Sequence, residues 1–235
     1  MSEWKPKRFW TNSTVVEADG GFTVELDGRR VKTPAKAGLI VPTQAMAQAI
    51  AEEWDAQEGE VDPATMPFTR SANAAIDKVR IQHAEVADML AAYGDSDLLC
   101  YRASHPQELV NRQDEQWSPA LDWAAENLGA RLKPVFGVVH EPQSREVLDV
   151  LSPQVHALGA FHLAAFHDLV SLSGSLILGF AAARNWREAD EIWRISRVDE
   201  LWQEEQWGAD DEASEHAEIK RQSFLHAKRF FDVSG

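Results

Sequence analysis

The chain has 235 residues, a length that can bury one large hydrophobic core or two smaller ones. Its formal net charge of -15 at pH 7 argues against a nucleic-acid-binding protein, because phosphates are bound by lysine and arginine. Cys100 is its single cysteine, which excludes an internal disulfide and favours a reducing compartment. Nine tryptophans stand out in the composition, and we expect most of them in the core and about two or three at a surface.

Short β-strands are predicted in the first part of the chain. The segments are rich in β-branched residues and read TVVEA, FTVELDG, RRVKT and GLIVP. A Gly-Gly pair at 20–21 and an Asp-Gly pair at 27–28 indicate tight turns, since glycine tolerates positive φ. Phe22, Val24 and Leu26 alternate with polar residues, which predicts one buried and one exposed face. We therefore expect a small, strongly twisted antiparallel sheet.

A helix is predicted directly after the strands. Met46, Ile50 and Trp54 recur in it at a spacing of four and share one face. Trp54 is therefore expected on the buried face, with a structural role. In the following segment, DPATMPFTR, Pro63 can begin a helical turn and Pro67 prevents that turn from continuing.

The remainder of the chain is predicted to be mostly helical. Its longest uncharged apolar run, residues 169–183, is short for a membrane span and is interpreted as part of one buried helix over 168–184. Small residues spaced by four along it, among them Ser175 and Gly179, would let a second helix approach closely. The segment LKPVFGVVH is expected to be a lone extended stretch.

The predicted fold class is α+β with two lobes. Residues 1–92 are expected to form the β-rich lobe, and residues 93–235 an orthogonal helical bundle. The boundary could fall anywhere between residues 59 and 96.

Motifs of enzyme chemistry are missing from the sequence. It contains no GxxxxGKS or GxxxxGKT phosphate loop, no glycine fingerprint after a strand, no GxSxG elbow and no HExxH or CxxC metal motif. His156, His162 and His167 follow at steps of six and five, which does not place them on one helical face. His83 lies in an apolar stripe and is interpreted as a core histidine bonded to a backbone group. We therefore expect no cofactor, no metal and no small-molecule substrate.

The stretch WQEEQWGADDEA, residues 202–213, combines two tryptophans with a run of acids. Nine acids fall between Asp199 and Glu218, and no lysine or arginine lies among them. Gly208 is expected to end a helix and to leave Trp207 at an exposed corner. From the residues alone three interpretations stay open: a solvated face, a carboxylate pair for catalysis, or a surface for another protein.

Eight segments follow one another in a distinctive order: RFW, GGFTVELDGRRVKTPAKAGLIVPT, AIAEEWDAQ, DPATMPFTRSANAAIDKV, DLLCYRA, RQDEQWSPALDWA, SGSLILGFA and WQEEQWGADDEA. In this order they resemble the family of ATP synthase assembly chaperones that hold the free α subunit of the F1 catalytic sector. The resemblance extends from residue 8 to residue 231. Each motif is modestly specific, whereas the ordered set is highly specific.

The resemblance implies a non-enzymatic chaperone that works without a cofactor, with a β-rich N-terminal lobe and a helical C-terminal lobe. Such proteins bind the unassembled α subunit and prevent its aggregation until the β subunit replaces them. The first ten residues, MSEWKPKRFW, have no apolar signal core and do not look like a transit peptide. The chain therefore resembles the bacterial members, which work in the cytoplasm, and neither membrane insertion nor nucleic-acid binding is expected.

The resemblance also selects residues. Trp54, Pro63 and Pro67 lie in matched motifs and are expected to be structural. Contact with the client is expected in the WQEEQWGADDEA motif, where the neighbouring Asp211 leaves the choice of acid ambiguous by one position. The expected partner-binding residues are Glu205, Trp207, Gly208, Asp210 and Glu212.

Two other functions remain as alternatives. One is a general holdase, which would protect unrelated proteins equally. The other, from a different class, is a carboxylate-dependent hydrolase, which requires a deep pocket and a carboxylate of raised pKa.

Overall fold

A computed structural model describes residues 7–137 and 139–235. The fold is α+β, with an antiparallel sheet near the N-terminus and helices through the rest of the chain, so the predicted fold class is confirmed. The chain divides into two compact units. Unit 1 comprises the described residues up to Gln82, with Gly159–Ala164 and Arg229–Gly235, and unit 2 comprises His83–Leu158 and Ala165–Lys228.

Unit 1 begins with a three-stranded antiparallel sheet in the order β1-β2-β3. The strands are β1 (Ser13–Ala18), β2 (Gly21–Leu26) and β3 (Arg29–Arg30). Asp27 and Gly28 connect β2 to β3 and both have positive φ, 47° and 79°. That geometry is the one a two-residue hairpin loop requires, which explains the Asp-Gly pair. The first six residues, on which the expectation about a targeting signal partly rests, lie outside the described residues.

The segment GLIVP does not form the predicted fourth strand. Its residues take part in two isolated bridges, Phe22 with Val41 and Lys32 with Gly38. Thr23 is buried, and its hydroxyl donates to the carbonyl of Leu39 at 2.6 Å. The predicted exposed face of β2 is therefore partly covered, because the chain after β3 folds back along it.

Helix α1 (Gln44–Asp55) starts where Thr43 Oγ1 accepts a hydrogen bond from the backbone N–H of Met46 at 3.2 Å. Met46 and Ile50 are fully buried, whereas Trp54 is half-buried. The Trp54 ring packs edge-on against Trp10, with centroids 5.2 Å apart. Trp54 thus lies at the end of the apolar stripe, at the boundary between the core and solvent.

The segment after α1 is shaped by its prolines. Asp62 Oδ1 accepts from the backbone N–H of Ala64 at 3.0 Å and caps a single 3-10 turn, Pro63–Thr65. Pro67 is the first residue of α2 (Pro67–Ala74). A proline is tolerated at the first position of a helix because the N–H that it lacks would have no partner inside the helix.

Unit 2 is built mainly from helices. Helix α6 begins in unit 1 and continues into unit 2, and α10 begins in unit 2 and ends in unit 1. Short helical turns occur at Ala75–Val79 (π) in unit 1 and at Ala92–Asp95 and Leu98–Cys100 (both 3-10) in unit 2. The remaining helices are α3 (His83–Ala91), α4 (Gln107–Asn127), α5 (Arg145–His156), α6 (Ala160–Ser173), α7 (Leu176–Ala183), α8 (Ala189–Ser196), α9 (Val198–Trp207) and α10 (Asp211–Asp232).

The predicted single helix over 168–184 is wrong, because the chain breaks between α6 and α7. Gly174 has a φ of 72°, and Ser175 Oγ then accepts from the backbone N–H of Leu178 at 2.9 Å. A left-handed glycine followed by a capping serine ends one helix and begins the next. The expected close approach is present at Gly179, where an added Cβ would lie 2.6 Å from a methyl group of Val170. Within the described residues, no helix combines the length and apolar character needed to cross a bilayer.

The segment LKPVFGVVH is not a lone extended stretch. Its strand β5 (Val135–Phe136) pairs in parallel with β4 (Tyr101–Arg102). The Gly137 N–H also donates to the Arg102 carbonyl at 2.9 Å. Val138, in the same segment, lies outside the described residues. The partner strand is more than thirty residues away in sequence, so spacing gave no signal of it.

Candidate partner-binding surface

The end of α9 presents a tryptophan to solvent. The helix stops at Gly208, whose φ of 91° and ψ of 154° carry the chain away from the helix axis. Trp207, the last residue of α9, is 78% exposed, more than any other large hydrophobic side chain in the described part of the chain. A tryptophan fixed in this position offers a large, rigid apolar surface at low entropic cost.

The acids after Gly208 begin the next helix. Asp210 Oδ1 accepts from the backbone N–H of Ala213 at 2.8 Å and so caps α10. Asp211 and Glu212 lie in the first turn and are exposed. Negative charge there is favoured by the N-terminal end of the helix dipole. Asp210 therefore has a structural task, whereas neither Asp211 nor Glu212 makes an ion pair with a described residue.

Glu205 is held by a partner that the sequence did not reveal. Both of its carboxylate oxygens accept from Arg112 of α4, at 2.8 and 2.7 Å. This hydrogen bonding is the main reason why the pKa of Glu205 lies below its ordinary value and that of Arg112 above it. The Arg112 guanidinium also lies 5.1 Å from the ring centroid of Trp202. Glu205 therefore fixes α9 to α4 and is less available to a partner than the sequence predicts.

The sequence contained little information about Arg112. It lies 93 positions before Glu205, and no helical or strand periodicity connects such distant residues. Its one signal was its place in RQDEQWSPALDWA, a segment on which the family resemblance rests. The pairing became visible only once α4 and α9 were packed together.

The predicted site residues fall into two groups. Glu205, Trp207, Gly208, Asp210 and Glu212 lie together at the junction of α9 and α10, in unit 2. The three expected structural residues, Trp54, Pro63 and Pro67, lie in unit 1. We call residues 204–212, which carry the first group, the acidic corner.

Gly208→Ala is expected to lower the free energy of unfolding by about 1–3 kcal/mol, because its φ and ψ lie in a region that is almost exclusive to glycine. Only backbone strain contributes, since an added Cβ would meet nothing within 4 Å. Gly159→Ala is the matched control, because that glycine has no positive φ and its site is equally open, and its effect should stay within about 0.5 kcal/mol. Urea denaturation measures both, and equal effects would contradict the strain argument.

Two carboxylates have a raised pKa, which was the signature expected of a hydrolase. Burial is the largest cause for both Glu53 and Asp97. Each accepts backbone hydrogen bonds at the start of an element, Glu53 from the N–H of Phe68 at 2.5 Å and Asp97 from that of Leu99 at 3.0 Å. Burial therefore raises both pKa values against the capping hydrogen bonds, which lower them, and both carboxylates serve as structural caps.

The histidines have separate partners. His83 Nε2 lies 2.7 Å from the Leu158 carbonyl oxygen, so the predicted bond to the backbone is confirmed. His156 contacts Asp88 at 2.8 Å, and His167 contacts Asp168 at 2.9 Å. Across residues 7–137 and 139–235, no group of three or more histidine, cysteine or acidic side chains is arranged to hold a metal ion.

An exposed aromatic side chain on a fixed helix end, beside carboxylates without cationic partners, is typical of a surface that binds another protein. The acidic corner is therefore a candidate surface for binding another protein, and the absence of catalytic motifs in the sequence agrees with this class. The family model described as "ATP12 chaperone protein" matches residues 7–125, and the chain belongs to this chaperone family.

Individual relatives extend the similarity over nearly the whole chain. Atp12 from Paracoccus denitrificans is 46% identical, with a TM-score of 0.96 over 99% of this chain and 100% of that one. The Atu1473 protein from Agrobacterium tumefaciens is 40% identical, with a TM-score of 0.92 over 97% of this chain and 86% of that one. The mitochondrial protein atp12 of Schizosaccharomyces pombe is 26% identical over 221 residues, which is 89% of this chain and 76% of that protein.

Proposed function

We propose that this chain is an assembly chaperone that binds the unassembled α subunit of ATP synthase and prevents its aggregation until the β subunit replaces it. Membership of the ATP12 chaperone family and the ordered motifs along the chain support this function. The observation that carries the proposed binding surface is the 78% exposure of Trp207 on a helix end fixed by Gly208 and the Asp210 cap.

The physical need for such a chaperone follows from the ring in which α and β subunits alternate. A lone α subunit exposes large surfaces that are meant for β, and exposed apolar surface of that size promotes aggregation. A chaperone that covers one of these surfaces lowers the concentration of the free subunit by mass action. It must also dissociate, and an interface with a polar rim suits displacement better than a wholly apolar one.

The acidic corner fits these requirements. Trp207 supplies contact area, while Asp211 and Glu212 supply negative charge beside it. Long-range attraction of this kind accelerates association and orients a basic partner more than it tightens the final complex. We place this activity in the cytoplasm of a bacterium, without a cofactor, and we assign the contact with the α subunit to the α9–α10 junction.

Aggregation assays separate a dedicated chaperone from a general holdase. Light scattering of diluted, unfolded α subunit is measured with and without the chain, in parallel with two unrelated aggregation-prone proteins. We expect suppression for the α subunit alone. Equal suppression for all three would favour the general holdase, and no suppression of α aggregation would contradict the proposal.

Trp207→Ala is expected to weaken binding of the α subunit by at least ~10-fold, because truncating a central aromatic contact commonly removes about 2 kcal/mol or more. Ile81→Ala is the control, since Ile81 is also largely exposed, at 76%, but lies in unit 1. Biolayer interferometry on immobilised α subunit measures both. Equal affinities for the two variants would show that Trp207 makes no contact.

Glu212→Lys is expected to slow association with the α subunit by roughly 2- to 10-fold, because charge reversal acts mainly on the association rate. Glu126→Lys makes the same change in net charge at an exposed position of α4 and should have little effect. The difference should shrink as salt is added, since exposed charges are screened. Reversal of Glu205 is a less direct test, because it also breaks the pair with Arg112.

A further inference from the structure

A groove of about 530 Å³ lies in unit 2, next to the acidic corner. One wall is the segment 101–106 with the start of α4, and the other is α9. Trp207 lines it, so the groove and the exposed corner form one continuous surface. The volume is that of an ordinary ligand cleft, roughly 300–1,000 Å³. The other apolar and aromatic side chains that line it are Tyr101, Ala103, Pro106, Leu109 and Trp202.

Asp199 gives this apolar groove an anionic position. It is half-buried, and its Oδ1 accepts from Gln113 Nε2 at 2.7 Å. Gln113 Oε1 in turn accepts from the Ala103 N–H at 2.8 Å, so the carboxylate is tied to both walls. Among the residues that the structure describes, no donor satisfies Asp199 Oδ2. A half-buried carboxylate with one oxygen open to an incoming donor is a favourable position for a cationic group.

The cations near the groove are already engaged. Arg102 is buried, donates to the Leu99 carbonyl at 2.8 Å and pairs with Asp114 at 3.1 Å. Burial lowers the pKa of Arg102, and the charges of Asp114 and Asp199 both oppose that effect, so Arg102 already interacts with two carboxylates. His105 lies on the wall, with its Nδ1 3.0 Å from the Ser104 hydroxyl. Arg112 is bound to Glu205, and the balance of charge around the groove is therefore negative.

We propose that this groove binds an extended segment of the client in which a large apolar side chain stands next to an arginine or lysine. The apolar side chain packs between Leu109 and the two α9 tryptophans, Trp202 and Trp207. The cationic group donates to Asp199 Oδ2. The open form of the groove and its continuity with the acidic corner suit a chain segment better than a small molecule. This inference rests on the proposed function, since the client is the α subunit.

Two variants test the groove by affinity for the full-length α subunit. Asp199→Asn keeps the shape of the side chain and the acceptor for Gln113 but removes the negative charge. Leu109→Arg fills the groove with a group that has the same positive charge as the arginine or lysine of the client. We expect each to weaken binding by at least ~10-fold. Asp122→Asn, an exposed acid on α4, makes the same charge change outside the groove and should bind like the unaltered chain. Circular dichroism and urea denaturation show whether each variant is folded.

Photo-crosslinking supplies an independent readout. Benzoylphenylalanine at position 109 should crosslink to one segment of the α subunit that contains a large apolar residue beside a lysine or arginine, as mapped by mass spectrometry. The same probe at position 126 should give no such crosslink. Full affinity of both groove variants, or crosslinks outside such a segment, would overturn the groove assignment while the chaperone function stands. Failure of the unaltered chain to bind the α subunit would overturn both.

Discussion

Replacing Trp117 with alanine is expected to lower the free energy of unfolding by about 3–5 kcal/mol, the range for large aromatic side chains removed from a core. Trp117 lies at the middle of α4 and is fully buried. Its Nε1–H donates to the Ile195 carbonyl at 2.8 Å, and the Arg102 guanidinium lies 5.3 Å from its ring centroid. The change therefore leaves a cavity, an unpaired carbonyl and a buried cation that has lost its aromatic neighbour.

Urea unfolding followed by far-ultraviolet circular dichroism measures this loss without relying on tryptophan fluorescence. Trp207→Ala is the matched control, because it removes the same side chain from an exposed position and should change stability by less than about 0.5 kcal/mol. Trp117→Phe keeps most of the volume but no donor, and should cost about 1–3 kcal/mol. A loss for Trp117→Ala as small as that for Trp207→Ala would contradict the burial on which the prediction rests.

At a pH of about 4, where the buried carboxyl of Asp97 is protonated, Asp97→Ala is expected to lower the free energy of unfolding by about 2–6 kcal/mol, because two buried N–H groups each lose their acceptor at about 1–3 kcal/mol. Asp97 is fully buried, and its two oxygens accept from the N–H groups of Leu99 and Ile177, each at 3.0 Å. It therefore joins the turn Leu98–Cys100 to the start of α7. Asp95→Ala, at a partly exposed position in the preceding turn, should lower the free energy of unfolding by less. It removes the acceptor of one backbone N–H, that of Gln143.

The same residue predicts a pH dependence. Burial raises the pKa of Asp97 from its ordinary 3.8 to about 6, against the opposing effect of its hydrogen bonds. Because the pKa is higher in the folded than in the unfolded state, protonation of Asp97 stabilises the fold. This stabilisation is fully present below pH 3.8 and is lost as the pH rises through about 6. The loss amounts to about 3 kcal/mol. Asp97→Asn should abolish this component, so its stability should fall less than that of the unaltered chain between these pH values. Parallel curves would contradict the assignment.

The features that the sequence predicted well are local ones. The antiparallel hairpins follow from the alternation of apolar and polar residues in β2 and from the Asp-Gly pair. Both residues of that pair adopt the positive φ values that the turn requires. The end of α9 at Gly208 and the exposure of Trp207 depend likewise on a few adjacent residues. Such features are fixed by conformational preferences that need no distant partner.

The features that it missed depend on distant contacts. The pairing of β4 with β5 and the clamp of Arg112 on Glu205 join segments that no periodicity relates. The break at Gly174 was missed for another reason: the run around it is apolar enough to suit one long helix, and the neighbouring Ser175 was interpreted as a small packing residue and not as a helix cap. Nor could spacing show that residues 159–164 and 229–235 belong to unit 1.

The same distinction separates the residues of the candidate surface. The exposed tryptophan and the acids of α10 could be selected from one motif. Asp199 lies near that motif too, but its place in the groove depends on Gln113 of α4, which donates to it and is itself bonded to the Ala103 N–H. A groove is a property of several packed segments, and the sequence of one of them does not define it.

Hydrogen–deuterium exchange on the complex with isolated α subunit tests most directly whether this chain binds that subunit through its acidic corner. We expect a stable complex in which backbone amides of residues 198–215 exchange more slowly than in the free chain. Amides around Gly159, outside the proposed surface, should exchange as before, and adding β subunit should restore the free pattern. A complex that leaves exchange over 198–215 unchanged would contradict the assigned surface, and failure to form any complex would contradict the function.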